Sequence, residues 1–236
     1  MPIPENIAAI RAKMQEAALS AGRDPKQILL CAATKMNDTA AVRQAITAGI
    51  DCCGENRVQE MTQKLAEQAY AGCPLHFIGR LQTNKVKQVV GKVQLIQSVD
   101  RLKLLESIQA EAAKQGIVQD ILLEINIGRE EAKGGFAPEE IWDILDKIPL
   151  LTSIRVCGLM AIPPISQIPT GNHKFFQEMY NLSVDITRKK SDNVSMGILS
   201  MGMSDDFADA IACGSTMIRV GTAIFGQRNY TNHHQQ

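Results

Sequence analysis

The sequence predicts a single (β/α)8 barrel, and three observations carry that expectation. Apolar runs of strand length alternate with amphipathic helical segments eight times along the 236 residues. The opening run, residues 28–33, is apolar on both faces, as strands of a parallel sheet covered by helices are, and residues 121–127 form the clearest later strand. Almost nothing is left over once the eight pairs are placed, and no linker, repeat or low-complexity segment divides the chain. A doubly wound sheet is the alternative, because a strand count by periodicity is easily wrong by one.

The elements follow in order. Residues 4–21 carry Ile7, Ile10, Met14, Ala17, Ala18 and Ala21 on one stripe, an extra helix expected to close the bottom of the barrel. The first strand ends at Thr34 and Lys35, and a helix follows, capped by Asn37 or Asp38 and stopped at Gly49. Strand two (50–55) leads to a helix over 57–70, and strand three (75–78) to a helix over 83–90. Strand four (93–99) is followed by a helix capped by Asp100, and strand five by one with Pro138 at its first position. Strand six (154–160) precedes a Pro-rich loop, 162–171, and a long helix over 173–190. Strand seven (197–200) leads to a helix capped by Ser204. Strand eight (215–220) leads to one helical turn at 222–225. The barrel is expected over 1–228, with a loose polar tail at 229–236.

Bulk properties exclude several classes. Lys and Arg total 25 and Asp and Glu 25, so no net field favours nucleic acid or an anionic membrane. No segment has the length of a signal peptide core or a membrane span, and six cysteines without C-x-x-C spacing suit buried free thiols. A cytoplasmic location is expected.

The chemistry gathers after the strands. Lys35, at the rim of a barrel mouth, is either a solvated lysine or a partly desolvated amine able to form a Schiff base. After strand two, Asn56 is a helix cap or a pocket residue. His76 reads as a satisfied core histidine, while Glu124 and Asn126 share one face of strand five near the mouth. Ser200-Met201-Gly202-Met203-Ser204 and Arg219-Val220-Gly221-Thr222 follow strands seven and eight, where barrels commonly hold a phosphate. In a closed barrel strands one and eight are neighbours, so a phosphorylated aldehyde would span from Lys35 to that clamp. Pyridoxal 5′-phosphate has this shape, and Arg219 beside its ring nitrogen would keep that nitrogen unprotonated.

These motifs resemble the YggS/PROSC-type pyridoxal phosphate homeostasis proteins, over residues 8–226. The matching stretches are the strand ending in Lys35, Gly54-Glu55-Asn56 with Val58-Gln59-Glu60, and His76-Phe77-Ile78-Gly79 with Leu81-Gln82 and Asn84-Lys85. They continue with Gly158-Leu159-Met160-Ala161-Ile162-Pro163, Leu199 to Ser204 with Asp206-Phe207, and Gly214-Ser215-Thr216 with Arg219 and Gly221. The resemblance implies an alanine racemase N-terminal-domain barrel with pyridoxal 5′-phosphate joined to Lys35. It implies phosphate contacts at Ser200, Gly221 and Thr222, a ring-nitrogen contact at Arg219, Asn56 on the polar side of the ring, and a loop lysine, Lys133, taking part in exchange. Two positions depart from the family: Asn37 stands where a second lysine is common, and Arg57 where an aromatic residue is common.

The function expected from this is intracellular vitamin B6 homeostasis without robust catalysis, with cofactor-dependent apo-enzymes as recipients and a monomeric chain. Two alternatives stand beside it. A racemase needs a second base, and Tyr70, Tyr180 and Tyr230 all read as lying on helices or the tail. A Schiff-base aldolase would not need Arg219.

Overall fold

The computed structural model describes residues 2–166, 168, 170–189 and 191–226; the expected tail at 229–236 lies outside them. Eight parallel strands close into one barrel: β1 (Leu29–Ala33), β2 (Cys52–Glu55), β3 (Leu75–Phe77), β4 (Leu95–Val99), β5 (Gln119–Ile125), β6 (Ile154–Ala161), β7 (Val194–Ser200) and β8 (Met217–Val220). β8 pairs with β1 in the register Cys31↔Arg219, which seals the seam and seats Arg219 beside the strand that leads to Lys35.

The helices are α1 (Ile3–Ser20), α2 (Thr39–Thr47), α3 (Val58–Ala66), α4 (Leu102–Gln115), α5 (Ile141–Lys147), α6 (His173–Lys189), α7 (Phe207–Ala212) and α8 (Thr222–Phe225). Most of the core lies between barrel and helices: Leu30, Ala32, Phe77 and Ile96 point outward to meet Val42, Met61, Leu105 and Phe176. Inside the barrel the apolar clusters are small, Cys31, Cys52, Ile78 and Met217 on one side and Leu95, Leu122 and Met160 on the other. The rest of that interior layer is polar, with His76, Gln97, Ser200 and Arg219 all buried. No described helix is long and apolar enough to cross a membrane.

Several local expectations change. α1 does not close the bottom of the barrel. It runs down the outside of the β8–β1 seam, with Asn6 Nδ2 donating to Ile224 O at 2.8 Å near the top and Arg23 to Ser215 O at 2.8 Å near the base. The segment after β3 is a 3-10 helix, Thr83–Gln88, rather than an α-helix. Of the two candidate caps for α2 it is Asp38 that acts, accepting from Ala41 N at 2.8 Å. Asp100 does not cap α4: Arg101 occupies the N-cap position, and the Asp100 carboxylate pairs with the Arg101 guanidinium instead. Ser204 does not cap α7, which begins after Asp206; Asp206 Oδ1 accepts from Met203 N at 2.7 Å. α5 begins at Ile141, three residues beyond Pro138, after a turn in which Glu140 accepts from Ala137 N at 3.0 Å.

Candidate cofactor site

The strand ends converge on a cleft of about 540 Å³ at the C-terminal mouth of the barrel. Its walls include Lys35 after β1, Asn56 after β2, Ile78 after β3, Ile162 after β6, Ser204 after β7, and Arg219, Gly221 and Thr222 from β8 onward. Five of the six residues singled out in the sequence, all but Ser200, line this one cleft.

Lys35 is half-buried in a turn whose next residue, Met36, takes a left-handed φ of 61°. A side chain of that size rarely adopts this conformation, so the surroundings must hold it. They do so from several sides. Met36 N donates to Glu60 Oε2 at 2.7 Å, and Asn37 Nδ2 donates to Lys35 O at 3.0 Å. Asn37 thus braces the turn. Behind it lies a fully buried carboxylate, Glu55. One of its oxygens, Oε1, accepts from Lys64 Nζ at 2.6 Å, Thr34 Oγ1 at 2.7 Å and Tyr70 OH at 2.9 Å. Lys64 Nζ also donates to Thr34 O at 2.8 Å, so the residue before Lys35 is fixed through both backbone and side chain.

Across the cleft, Arg219 is 5 % exposed. Its Nη1 donates to Ser200 O and to Ser200 Oγ at 2.7 Å, and Nη2 to Ala161 O at 2.8 Å. These are neutral oxygens. Burial lowers the guanidinium pKa, while Cys31, Glu124 and Asp206 hold it up; an arginine stays charged even so. Ser200 itself lies below the cleft, fully buried. Its hydroxyl donates to Gln97 Oε1 at 2.7 Å while accepting from Arg219, so it orients the guanidinium from beneath. Gln97 Nε2 in turn lies 3.0 Å from His76 Nδ1, which makes His76 the satisfied core histidine expected.

Two features of the cleft suit a bound polar group. Asn56 Oδ1 is buried without a hydrogen-bond donor among the described residues, an expensive arrangement unless a ligand completes it. Asn56 is held in place by close packing: a Cβ on Gly79, two residues beyond β3, would sit 2.2 Å from Asn56 O, so only glycine fits there. On the far side, the turn Gly221–Ala223 opens α8, and Ala223 N approaches Ser204 Oγ at 3.4 Å. Ser204 was legible as part of the Ser/Gly loop, but its placement in the cleft was not. Gly202, at φ 91°, makes that loop possible; a Cβ there would lie 2.6 Å from the Ala210 Cβ.

Two further residues fall outside the cleft lining. Asn126 ties its own loop, donating to Glu130 O at 2.9 Å and accepting from Glu130 N at 3.1 Å. In the same loop Lys133 donates to Pro163 O at 3.2 Å and pairs with Glu130, which joins the loops after β5 and β6.

Glu124 lies on β5, with Asp100, Arg219 and Arg80 as its charged neighbours. Burial, and then the Asp100 charge, push its pKa up to about 7, against the pull of Arg219 and Arg80. Between the ordinary glutamate value of about 4.3 and 7, the folded protein keeps a proton the unfolded chain has lost. Its contribution is therefore fully present below the unfolded pKa and is lost as pH rises to 7. We expect ~4 kcal/mol of stability to fade over this range. Denaturant unfolding of wild type and Glu124→Gln from pH 4 to 8 (a window of about this width) checks it: the variant should show a flatter profile.

Comparison with known proteins agrees with this fold. The family model of the alanine racemase N-terminal domain matches residues 6–229. A pyridoxal phosphate homeostasis protein of Aquifex aeolicus is 41 % identical over 226 residues, covering 96 % of this chain and 98 % of its own. One from Pseudomonas aeruginosa is 39 % identical over 228 residues, covering 97 % and 96 %. The solved structure of PipY from Synechococcus elongatus with PLP bound superposes with a TM-score of 0.82 at 30 % identity, over 95 % of this chain and all of its own. The chain belongs to the pyridoxal phosphate homeostasis protein family, built on the alanine racemase N-terminal domain.

Proposed function

We propose that this chain binds pyridoxal 5′-phosphate, with a Schiff base to Lys35, and acts in vitamin B6 homeostasis rather than as a committed enzyme. The observation that carries it is the convergence of an amine, a buried guanidinium, an unsatisfied amide oxygen and a Gly/Thr/Ser turn on one cleft. The homeostasis relatives and the cofactor-bound PipY structure support the same assignment.

In this arrangement Gly221 and Thr222, with Ser204, receive the phosphate, and Asn56 meets the polar side of the ring. Arg219 would face the ring nitrogen, its guanidinium held by Ser200, whose hydroxyl is in turn bonded to Gln97. Bound pyridoxal 5′-phosphate supplies an aldehyde for the lysine and a ring able to withdraw electrons. A permanently charged arginine at the ring nitrogen keeps that nitrogen unprotonated and weakens the withdrawal. That suits keeping and releasing the cofactor better than transforming amino acids on it. Tyr70 donates to Glu55 behind the turn, and Tyr180 sits 42 % exposed on α6, so neither is placed as a racemase's second base.

Titration of the purified protein with pyridoxal 5′-phosphate, followed by borohydride and peptide mapping, tests the assignment. Visible absorbance that is lost on reduction, with a pyridoxyl group on Lys35, is the expected result. A protein that stays colourless at millimolar cofactor (roughly the weak limit for a specific site) would instead favour a Schiff-base aldolase. Amino-acid racemisation by the loaded protein at ordinary enzyme rates would overturn the homeostasis role.

A further inference from the structure

All six cysteines are free thiols, and they differ in access. Cys31, Cys52, Cys53 and Cys213 are buried, whereas Cys73 and Cys157 are half-buried and within reach of solutes. Cys73 lies in the turn before β3, and Cys53 points outward from β2 beneath it. The Cys53 thiol donates to Cys73 Sγ across 3.8 Å. Cys157 Sγ lies 3.8 Å from Arg155 O, with the Arg155 guanidinium and the Asp120 carboxylate beside it. The two accessible thiols therefore sit in opposite surroundings. The hydrogen bond from Cys53 favours the Cys73 thiolate, while burial pushes the Cys157 thiol up.

We propose that Cys73 and Cys53 form a hydroperoxide-oxidisable pair, with Cys73 the attacking thiolate and Cys53 the resolving thiol. In the first step the Cys73 sulfur attacks a peroxide oxygen. An S–O bond forms, the O–O bond breaks, and the departing oxygen takes a proton and leaves as water or an alcohol. Cys73 becomes a sulfenic acid as the peroxide is reduced. In the second step Cys53 gives up its proton and its sulfur displaces the sulfenic oxygen. The S–S bond forms, the S–O bond breaks, and a water leaves. The sum is two thiols and one hydroperoxide giving one disulfide, one water, and a second water or an alcohol.

The backbone allows the closure. Cys53 is fixed in the sheet, with its N–H donating to Pro74 O at 2.8 Å and its register opposite Leu75. Cys73 is outside the strand, at the end of a turn in which its N–H donates to Tyr70 O at 3.0 Å. The shift from contact to a bond of about 2 Å thus falls on the turn. The same turn carries Tyr70, whose hydroxyl binds Glu55 two residues beyond Cys53, so the disulfide would tie down the brace behind Lys35.

The experiment treats the full chain with a small excess of hydrogen peroxide, alkylates the remaining thiols and maps the digest by mass. The expected major product is a linked Cys53–Cys73 peptide, two hydrogens lighter than the separate thiols, while Cys157 stays alkylated and reacts at least about tenfold more slowly. Cys53→Ala should leave a Cys73 sulfenic acid that a dimedone-type probe captures. Oxidation of Cys157 before Cys73, or a Cys73 product in the wild type that is intermolecular or unlinked, overturns the proposal. Because the mapping is done on the wild type, it holds whether or not the variant folds.

Discussion

Lys35→Ala is expected to abolish the reducible chromophore entirely: no absorbance lost on borohydride, and no pyridoxyl peptide at position 35. Contacts from Arg219, Asn56 and the Gly221–Thr222 turn would remain, so the cofactor should still bind, but about a hundredfold more weakly, a loss of ~2.7 kcal/mol. The fold should not suffer. Lys35 is half-buried in a turn whose geometry is set by Glu60, Asn37 and Thr34, and a substitution there should shift unfolding by no more than ~0.5 kcal/mol. Equilibrium dialysis against the cofactor, alongside urea unfolding of the apo proteins, separates the two effects. Equal affinity in variant and wild type would sink the covalent link. Pyridoxyl transfer to another lysine would show that the amine at position 35 is not the one the cleft selects.

The barrel was legible because its strands are covered on both faces, which leaves apolar runs such as residues 28–33 that no exposed sheet would carry. Boundaries were legible only where a single residue sets them. Asp38 caps α2 as a short acceptor can, but α4 and α7 begin without a side-chain cap, and Asp100 and Ser204 were free for other work. The bulk of the site was legible for a topological reason. Closing the barrel makes β1 and β8 neighbours, so Lys35 and the Arg219–Thr222 stretch, far apart in sequence, had to meet. Depth was not legible. Ser200 and Ser204 lie in one short loop sequence, yet the first is fully buried under Arg219 and the second lines the cleft. The brace behind Lys35 was invisible as well. Lys64 sits on a helix, where a lysine normally reads as a solvated charge, and only the fold turns it inward to Glu55.

That brace is where the largest loss of stability is expected. Lys64 is 7 % exposed and Glu55 fully buried, and their 2.6 Å contact compensates a carboxylate that has no access to water. Lys64→Met removes the cation while filling its volume, which leaves Glu55 facing only the hydroxyls of Thr34 and Tyr70, with Glu60 nearby as a second negative charge. Breaking a buried pair from one side costs about 3–5 kcal/mol. Glu55→Leu in the same chain removes the stranded charge, so the double variant should recover most of that loss, as replaced buried pairs often do. Urea unfolding of the two variants and wild type checks this, and similar stabilities for single and double variants would show that Glu55 is not the residue Lys64 serves. The turn gives a second readout. Thr34 O loses its bond from Lys64 in both variants, so covalent loading of Lys35 should fall in both even where stability returns. Stability and cofactor loading would then part company, because the ion pair supports the fold while the bond to Thr34 O positions the lysine.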